Sequence, residues 1–149
     1  MNHATIRPAT AADRDALLAI WKDSVRATHR FLTEADVEAL TPEVRDIALV
    51  ALELWVLEGD AGQPVGFMGL DGTKLEALFL APSHFGRGGG QQLVEHARRL
   101  KGPLTVDVNE QNPAAVGFYD ACGFRIVARS ELDGAGRPFP LLHLSDATA

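Results

Sequence analysis

Cysteine is nearly absent. Cys122 is the only one in 149 residues, so no intrachain disulfide can form and no paired-cysteine metal site exists. That usage suits a reducing compartment. Long hydrophobic runs are missing as well: the most apolar stretch, Ile47 to Leu57, reaches about half a membrane span and contains Glu53. The opening MNHATIRP carries no apolar stretch of signal-peptide length. No membrane partner is expected, and a cytoplasmic location is. Basic residues are in the minority, 14 Lys+Arg against 20 Asp+Glu, for a net charge of −6. A nucleic-acid-binding chain would show a basic face, so no nucleic-acid partner is expected, whereas a local site for a small polyanion stays open. The histidines, at positions 3, 29, 84, 96 and 143, lack the spacing of metal ligands, and no metal is expected.

Repeats, charge blocks and low-complexity linkers are lacking too. What remains is an ordinary globular composition, 46% hydrophobic and 23% charged, over residues 1–149. That length suits a single domain with a full core of its own. His3–Arg7 reads as a short strand stopped by Pro8. Thr10 with Asp13 and Thr33 with Asp36 resemble helix starts, and Thr41-Pro42 predicts a third. Leu18, Trp21 and Val25 then fall at helical spacing. The middle changes period: Glu53–Glu58, Pro64–Leu70 and Lys74–Leu80 are short apolar runs divided by Gly59–Gly62 and Asp71-Gly72, which predicts an antiparallel meander. A helix follows through Leu93, Ala97 and Leu100, then a strand over Leu104–Asn109, a helix from Asn112-Pro113 to Gly123, and a hairpin of Phe124–Arg129 and Pro138–Leu144 over Asp133-Gly134. The order β-α-α-β-β-β-α-β-α-β-β predicts an α/β (α+β) domain, a mixed central sheet of about seven strands with helices on both faces.

One segment stands out chemically. Phe79 to Leu93 reads F-L-A-P-S-H-F-G-R-G-G-G-Q-Q-L, with glycine at 86, 88, 89 and 90 between a strand end and a helix start. Glycines let successive backbone N–H groups turn toward one ligand, and the helix N-terminus adds about half a positive charge, which together suit a phosphate or pyrophosphate. A flexible connector is the other reading of the same residues. The Walker phosphate loop is excluded, because Gly90-Gln91-Gln92 stands where Gly-Lys-Ser/Thr is required. A dinucleotide fingerprint fails at Gln91 or at Leu93, depending on where it starts.

A second motif follows about twenty residues on: Asn112, Ala115, Tyr119 and Gly123-Phe124 form N-x-x-A-x-x-x-Y-x-x-x-G-F. With the strand, glycine loop and helix before it, and with the element order above, the chain resembles the GNAT (Gcn5-related) N-acetyltransferase superfamily over nearly its whole length. The resemblance implies an acetyl-CoA-dependent N-acetyltransferase that passes the acetyl group directly to a primary amine in a ternary complex. Acetyl-CoA/CoA and an amine acceptor are then the partners, and a homodimer is a candidate assembly because many relatives dimerise. It also implies roles. Amides of Phe85, Gly86, Arg87, Gly88, Gly89 and Gly90 would hold the pyrophosphate. Leu78, Phe79 and Leu80 would pair with the pantetheine arm, with the Leu80 amide as oxyanion donor. Asn112, a good helix cap in its own right, would touch that arm, and Tyr119 would be the general acid. One position departs from the family pattern: Phe85 stands where Arg or Gln usually begins the loop.

Glu76 is the candidate base. Period-two alternation puts it on the same side as Leu78 and Leu80, and a carboxylate on an apolar face is costly unless paired or functional. In relatives that use a glutamate, it stands four residues before the oxyanion position, as Glu76 does before Leu80. A salt-bridged edge carboxylate is the alternative. His29, Phe31 and Trp55 are candidate acceptor-site residues, since Thr28–Leu32 links the first two helices over the acceptor side of the cleft in this family; a packed connection is the other reading. Asn109 and Glu110 end a central strand, where α/β clefts open toward substrate. His84 reads as a loop residue and His96 as a solvated or capping one, and Cys122 as a small buried residue near a helix end. Two other functions stay open on the same fold: a non-catalytic acyl-CoA-binding or sensing module, and a toxin acting on aminoacyl-tRNA, which the charge of −6 disfavours.

Overall fold

Residues 5–29 and 32–147 are described by a computed structural model, in which seven strands build one mixed sheet. The strands are β1 (Ile6–Pro8), β2 (Glu53–Glu58), β3 (Pro64–Asp71), β4 (Lys74–Leu80), β5 (Thr105–Asn109), β6 (Arg125–Ser130) and β7 (Leu141–Ser145), in the spatial order β1-β2-β3-β4-β5-β7-β6. β4 and β5 run parallel and the remaining neighbours antiparallel. The helices are α1 (Arg14–Thr28), α2 (Glu34–Glu43), α3 (Leu49–Ala51), α4 (Gly89–Lys101) and α5 (Pro113–Ala121). The predicted seven-stranded mixed sheet is observed, and so is the predicted element order, with the short α3 added before β2.

Alternation along the central strands splits the core in two. Val56 and Phe67 meet Leu17, Ile20, Trp21 and Val25 of α1 on one face. Leu57, Met68, Leu70 and Leu75 meet Leu93, Val94 and Ala97 of α4 on the other, together with Val106, Val108 and Tyr119. Helices thus cover both faces, with α1 packed over β3 and β4, while β6 at the sheet edge is mostly exposed. The sheet edge is tied to α1 by Arg7, whose Nη1 and Nη2 lie 2.9 and 3.0 Å from the Asp13 carboxylate. Arg7, then the Thr10 N–H at 2.7 Å, holds that carboxyl well below the usual carboxylate range.

Three local expectations are corrected. Thr41-Pro42 does not start a helix: Pro42 lies inside α2, where it has no N–H for the carbonyl four residues back, and the chain widens into a π turn over Val44–Ala48 directly afterwards. α2 itself starts as expected, the Thr33 Oγ1 accepting the Asp36 N–H at 3.1 Å and Asp36 accepting the Thr33 N–H at 2.9 Å. The last hairpin turns over Asp133–Arg137, closed by Asp133 N–H to Arg137 C=O at 3.0 Å, rather than over Asp133-Gly134 alone. The third correction concerns Glu76. Ala77 pairs with Gly69 but Leu75 with Leu70, so Glu76 is the extra residue of a β-bulge. The bulge breaks the alternation, and Glu76 shares the Lys74 ammonium with Asp107 on the face opposite to the one that Leu78 and Leu80 share with α4.

Candidate active site

β4 and β5 pair over two positions, Lys74 with Thr105 and Leu75 with Val106, and then diverge. The gap opens a cavity of about 630 Å³, lined at one end by Phe85, Gly86, Gly88 and Gly90 and at the other by Ser24, Thr28 and His29. Its wall is the unpaired edge of β4. Ala81 N–H donates to Val65 C=O at 2.8 Å, and hydrogen-bonded pairs recur at every second residue of an antiparallel ladder. Ala77 and Phe79 therefore bond toward β3, whereas Leu78 and Leu80 turn their N–H and C=O groups toward the side that β5 has left. The Leu80 amide is a donor aimed into the cavity.

At the glycine end, Gly88 caps α4 with φ +82° and ψ +5°, which an L-side chain rarely adopts. This aims the first N–H groups of a 13-residue helix at the cavity, where they have no acceptor within the helix. Gly90 is needed for a different reason: a Cβ there would lie 3.0 Å from the Phe118 ring. Phe85 is 39% exposed and is among the residues that line the cavity. Arg87 and Gly89 do not line it; a Cβ at Gly89 would meet Leu57 and Leu80 instead.

Tyr119 reaches the cavity from the last turn of α5, its ring packed edge-on against Phe118 and Phe124 at 5.0 and 5.4 Å between centroids. Burial pushes its phenol well above the ordinary value, so it stays protonated. Asn112 caps α5, its Oδ1 accepting the Ala115 N–H at 3.2 Å. Its Nδ2 lies 3.3 Å from His29 Nε2 across the cavity. The protons of this bridge follow from the chain of bonds. The Thr28 hydroxyl donates to Ser24 C=O at 2.8 Å, so it accepts from His29 Nδ1 at 2.8 Å, which leaves the Nε2 lone pair toward the Asn112 amide. Burial lowers the His29 pKa, in keeping with this neutral tautomer.

The other candidates are placed as follows. Glu76 and Asn109 line the cavity, and Asn109 also accepts the Gln111 N–H at 2.8 Å. Glu110 pairs with Arg129 on the surface, at 2.6 Å. Trp55 does not join the site: the alternation that sends Val56 toward α1 sends Trp55 to the α4 face, with its ring 4.8 Å from that of His96. His96 is accordingly packed rather than solvated, and its buried Nε2 has no hydrogen-bond partner among the described residues. Cys122, expected to be buried, is only half-buried. Phe31 lies outside the described residues. Among the described residues no cluster of His, Cys, Asp or Glu suits a metal ion, and no helix is long and apolar enough to cross a membrane.

Sequence reasoning missed one feature of the site. Asp107 lines the cavity beside Glu76, and Lys74 bridges the two carboxylates. The alternation of Val106, Asp107 and Val108 was a signal that Asp107 faces away from the α4 core. Its partners on β4 and β7 carried no local signal.

The sequence pattern of the family described as acetyltransferase (GNAT) domain matches residues 51–126. The peptidyl-lysine N-acetyltransferase YjaB of Salmonella typhimurium (strain LT2) is 48% identical over 139 residues, 93% of this chain and 95% of that protein. The solution structure of apo-form YjaB from Escherichia coli superimposes with a TM-score of 0.90 at 44% identity, covering 99% of this chain and all of that one. The PaiA N-acetyltransferase of Thermoplasma acidophilum, solved in complex with coenzyme A, shares the fold with a TM-score of 0.80 at 18% identity over 99% of this chain. The site fits that co-substrate, with helix N–H groups for a diphosphate and an unpaired strand edge for an amide-bearing arm. The chain belongs to the GNAT acetyltransferase family and is an acetyl-CoA-dependent N-acetyltransferase.

Proposed function

We propose that the chain acetylates lysine side chains of polypeptides, by direct transfer within a ternary complex. The observation that carries this reading is the cavity itself. It runs without interruption from the glycine cradle to the face lined by Glu76 and Asp107, so donor and acceptor can approach from opposite sides and meet beside the Leu80 amide. Two carboxylates suit a cationic acceptor better than a neutral one, and two YjaB proteins similar to this chain at 48% and 45% identity are named for peptidyl-lysine. Cys122, the one thiol, ends α5 and does not line the cavity, which favours direct transfer over an acetylated cysteine.

In this reading backbone N–H groups of Phe85, Gly86, Gly88 and Gly90 hold the pyrophosphate, and the edge of Leu78–Leu80 aligns the pantetheine arm. The Leu80 amide stabilises negative charge developing on the thioester oxygen. Glu76 takes the proton of the attacking amine, directly or through a water. Tyr119 returns a proton to the departing thiolate, and the bridge between His29 and Asn112 closes the acceptor side. Purified enzyme, acetyl-CoA and lysine-containing peptides, followed by thiol release and by mass mapping of the acetyl group, test it. Acetyl on the lysine side chain is expected. Turnover confined to free amines, or label only at peptide N-termini, overturns the reading.

Phe85 supplies a further test of the cradle. Phe85→Arg is expected to tighten coenzyme A binding a few-fold at low salt, because it adds a cation beside a diphosphate. Calorimetry showing unchanged affinity at low ionic strength means that the side chain at position 85 does not face the phosphates.

A further inference from the structure

At the point where β4 and β5 part, a primary ammonium already sits between two carboxylates. Lys74 Nζ lies 2.8 Å from Glu76 Oε1 and 2.9 Å from Asp107 Oδ2. The two acids come from opposite sides of the gap, and both line the cavity. Asp107 is fixed from behind: its Oδ1 lies 2.6 Å from His143 Nδ1, and His143 Nε2 lies 2.7 Å from Ser130 Oγ. The carboxylates hold Lys74 in its charged form. Its side chain is 39% exposed, so it can leave for solvent without crossing the core.

We infer that Lys74 is a built-in competitor for the acceptor: the ammonium of the incoming lysine takes the place of Lys74 Nζ between Glu76 and Asp107, and Lys74 swings out to solvent. This rests on the peptidyl-lysine reading, because the argument is one of identity. A lysine side chain beside the cavity is what this pair of acids holds from within the chain, and a lysine side chain is what the reaction brings from outside. Lys74 is thus a specificity-determining residue that weakens acceptor binding and balances the charge of the two carboxylates before substrate arrives. Asp107, anchored through His143 to Ser130, is the half of the pair that keeps its place during the exchange.

The test is steady-state kinetics on a lysine peptide with saturating acetyl-CoA. Lys74→Met keeps the side-chain length and removes the charge, and is expected to lower the KM for peptide by about two- to fivefold, the worth of a partly exposed ion pair, without lowering kcat. Lys101→Met removes the same charge at a pair with Glu53 on the α4 helix, 2.9 Å apart, and controls for net charge; its KM should stay at the wild-type value. Asp107→Asn is expected to raise the peptide KM about tenfold while leaving coenzyme A affinity by calorimetry unchanged. A KM for Lys74→Met equal to or above wild type, in a folded variant with normal coenzyme A affinity, overturns the inference. So does a loss of coenzyme A binding in that variant, which would make Lys74 a staple holding the cleft open. Lysine peptides that are not acetylated by the wild type at all overturn the broader reading instead. In that case the exchange is judged by ¹³C NMR of Lys74 Cε, which must shift on adding the peptide and not its norleucine counterpart.

Discussion

Gly88→Val is expected to remain folded and to lose most of its coenzyme A binding. Gly88 has φ +82°, and among the described residues no atom beyond its own chain neighbours stands within 4 Å of where its Cβ would lie, so the substitution meets no clash with the rest of the fold. The damage is conformational. A β-branched residue in the left-handed region costs about 1–3 kcal/mol, and the loop escapes that cost by rotating out of the conformation that points the α4 N–H groups at the cavity. Binding must then restore the strained loop, so affinity falls by about 5- to 150-fold. Direct obstruction adds to this, because a side chain on the cavity wall holds the ligand off the backbone. Gly88→Ala, with a smaller side chain in the same backbone conformation, should show a milder loss. Near-wild-type coenzyme A affinity in folded Gly88→Val, measured by calorimetry, removes the pyrophosphate from this loop.

The glycine loop shows why so much of the fold was readable. Its signals are local: glycine where φ is positive, proline where a strand ends, asparagine where a helix begins. The same holds for the two-residue hairpin loop after Asp71, where Gly72 has φ +59°, and for the cap at Asn112. Misreadings arose where a local pattern was overruled by pairing. Pro42 looked like a helix start because proline favours that position, but packing of the helix that carries Val37 and Leu40 continues past it. Glu76 looked like a core-facing residue because strict alternation was assumed, and a bulge is a property of two strands together. Trp55 was assigned to the acceptor side by the family resemblance, and the alternation of its strand, which sends Val56 toward α1, sends it to the other face. The ion chain from Glu76 through Lys74 and Asp107 to His143 and Ser130 joins four strands, β4 to β6, and no window of sequence contains it.

Tyr119→Phe is expected to lower kcat by about 10²-fold while stability and coenzyme A affinity barely change. The substitution keeps the ring and therefore keeps both edge-on contacts, to Phe118 and Phe124, that lock it in place. Only the hydroxyl at the cavity wall is lost. An ordinary phenol titrates near pH 10, and burial moves Tyr119 higher, so the proton is present at every pH used for assay. A weaker acid is also a poorer donor, but a thiolate leaving into the same low-dielectric cavity is destabilised by the same desolvation, so donor and acceptor move together. Two consequences separate catalysis from packing. The alkaline limb of the wild-type kcat profile should not carry the tyrosine ionisation below about pH 10, since its pKa is raised rather than lowered. The variant should regain rate with acyl donors whose thiol is more acidic, because a stabler thiolate departs without a proton. Full kcat for Tyr119→Phe on a lysine peptide, with chemistry shown to be rate-limiting, makes Tyr119 a packing residue and leaves water as the source of the proton.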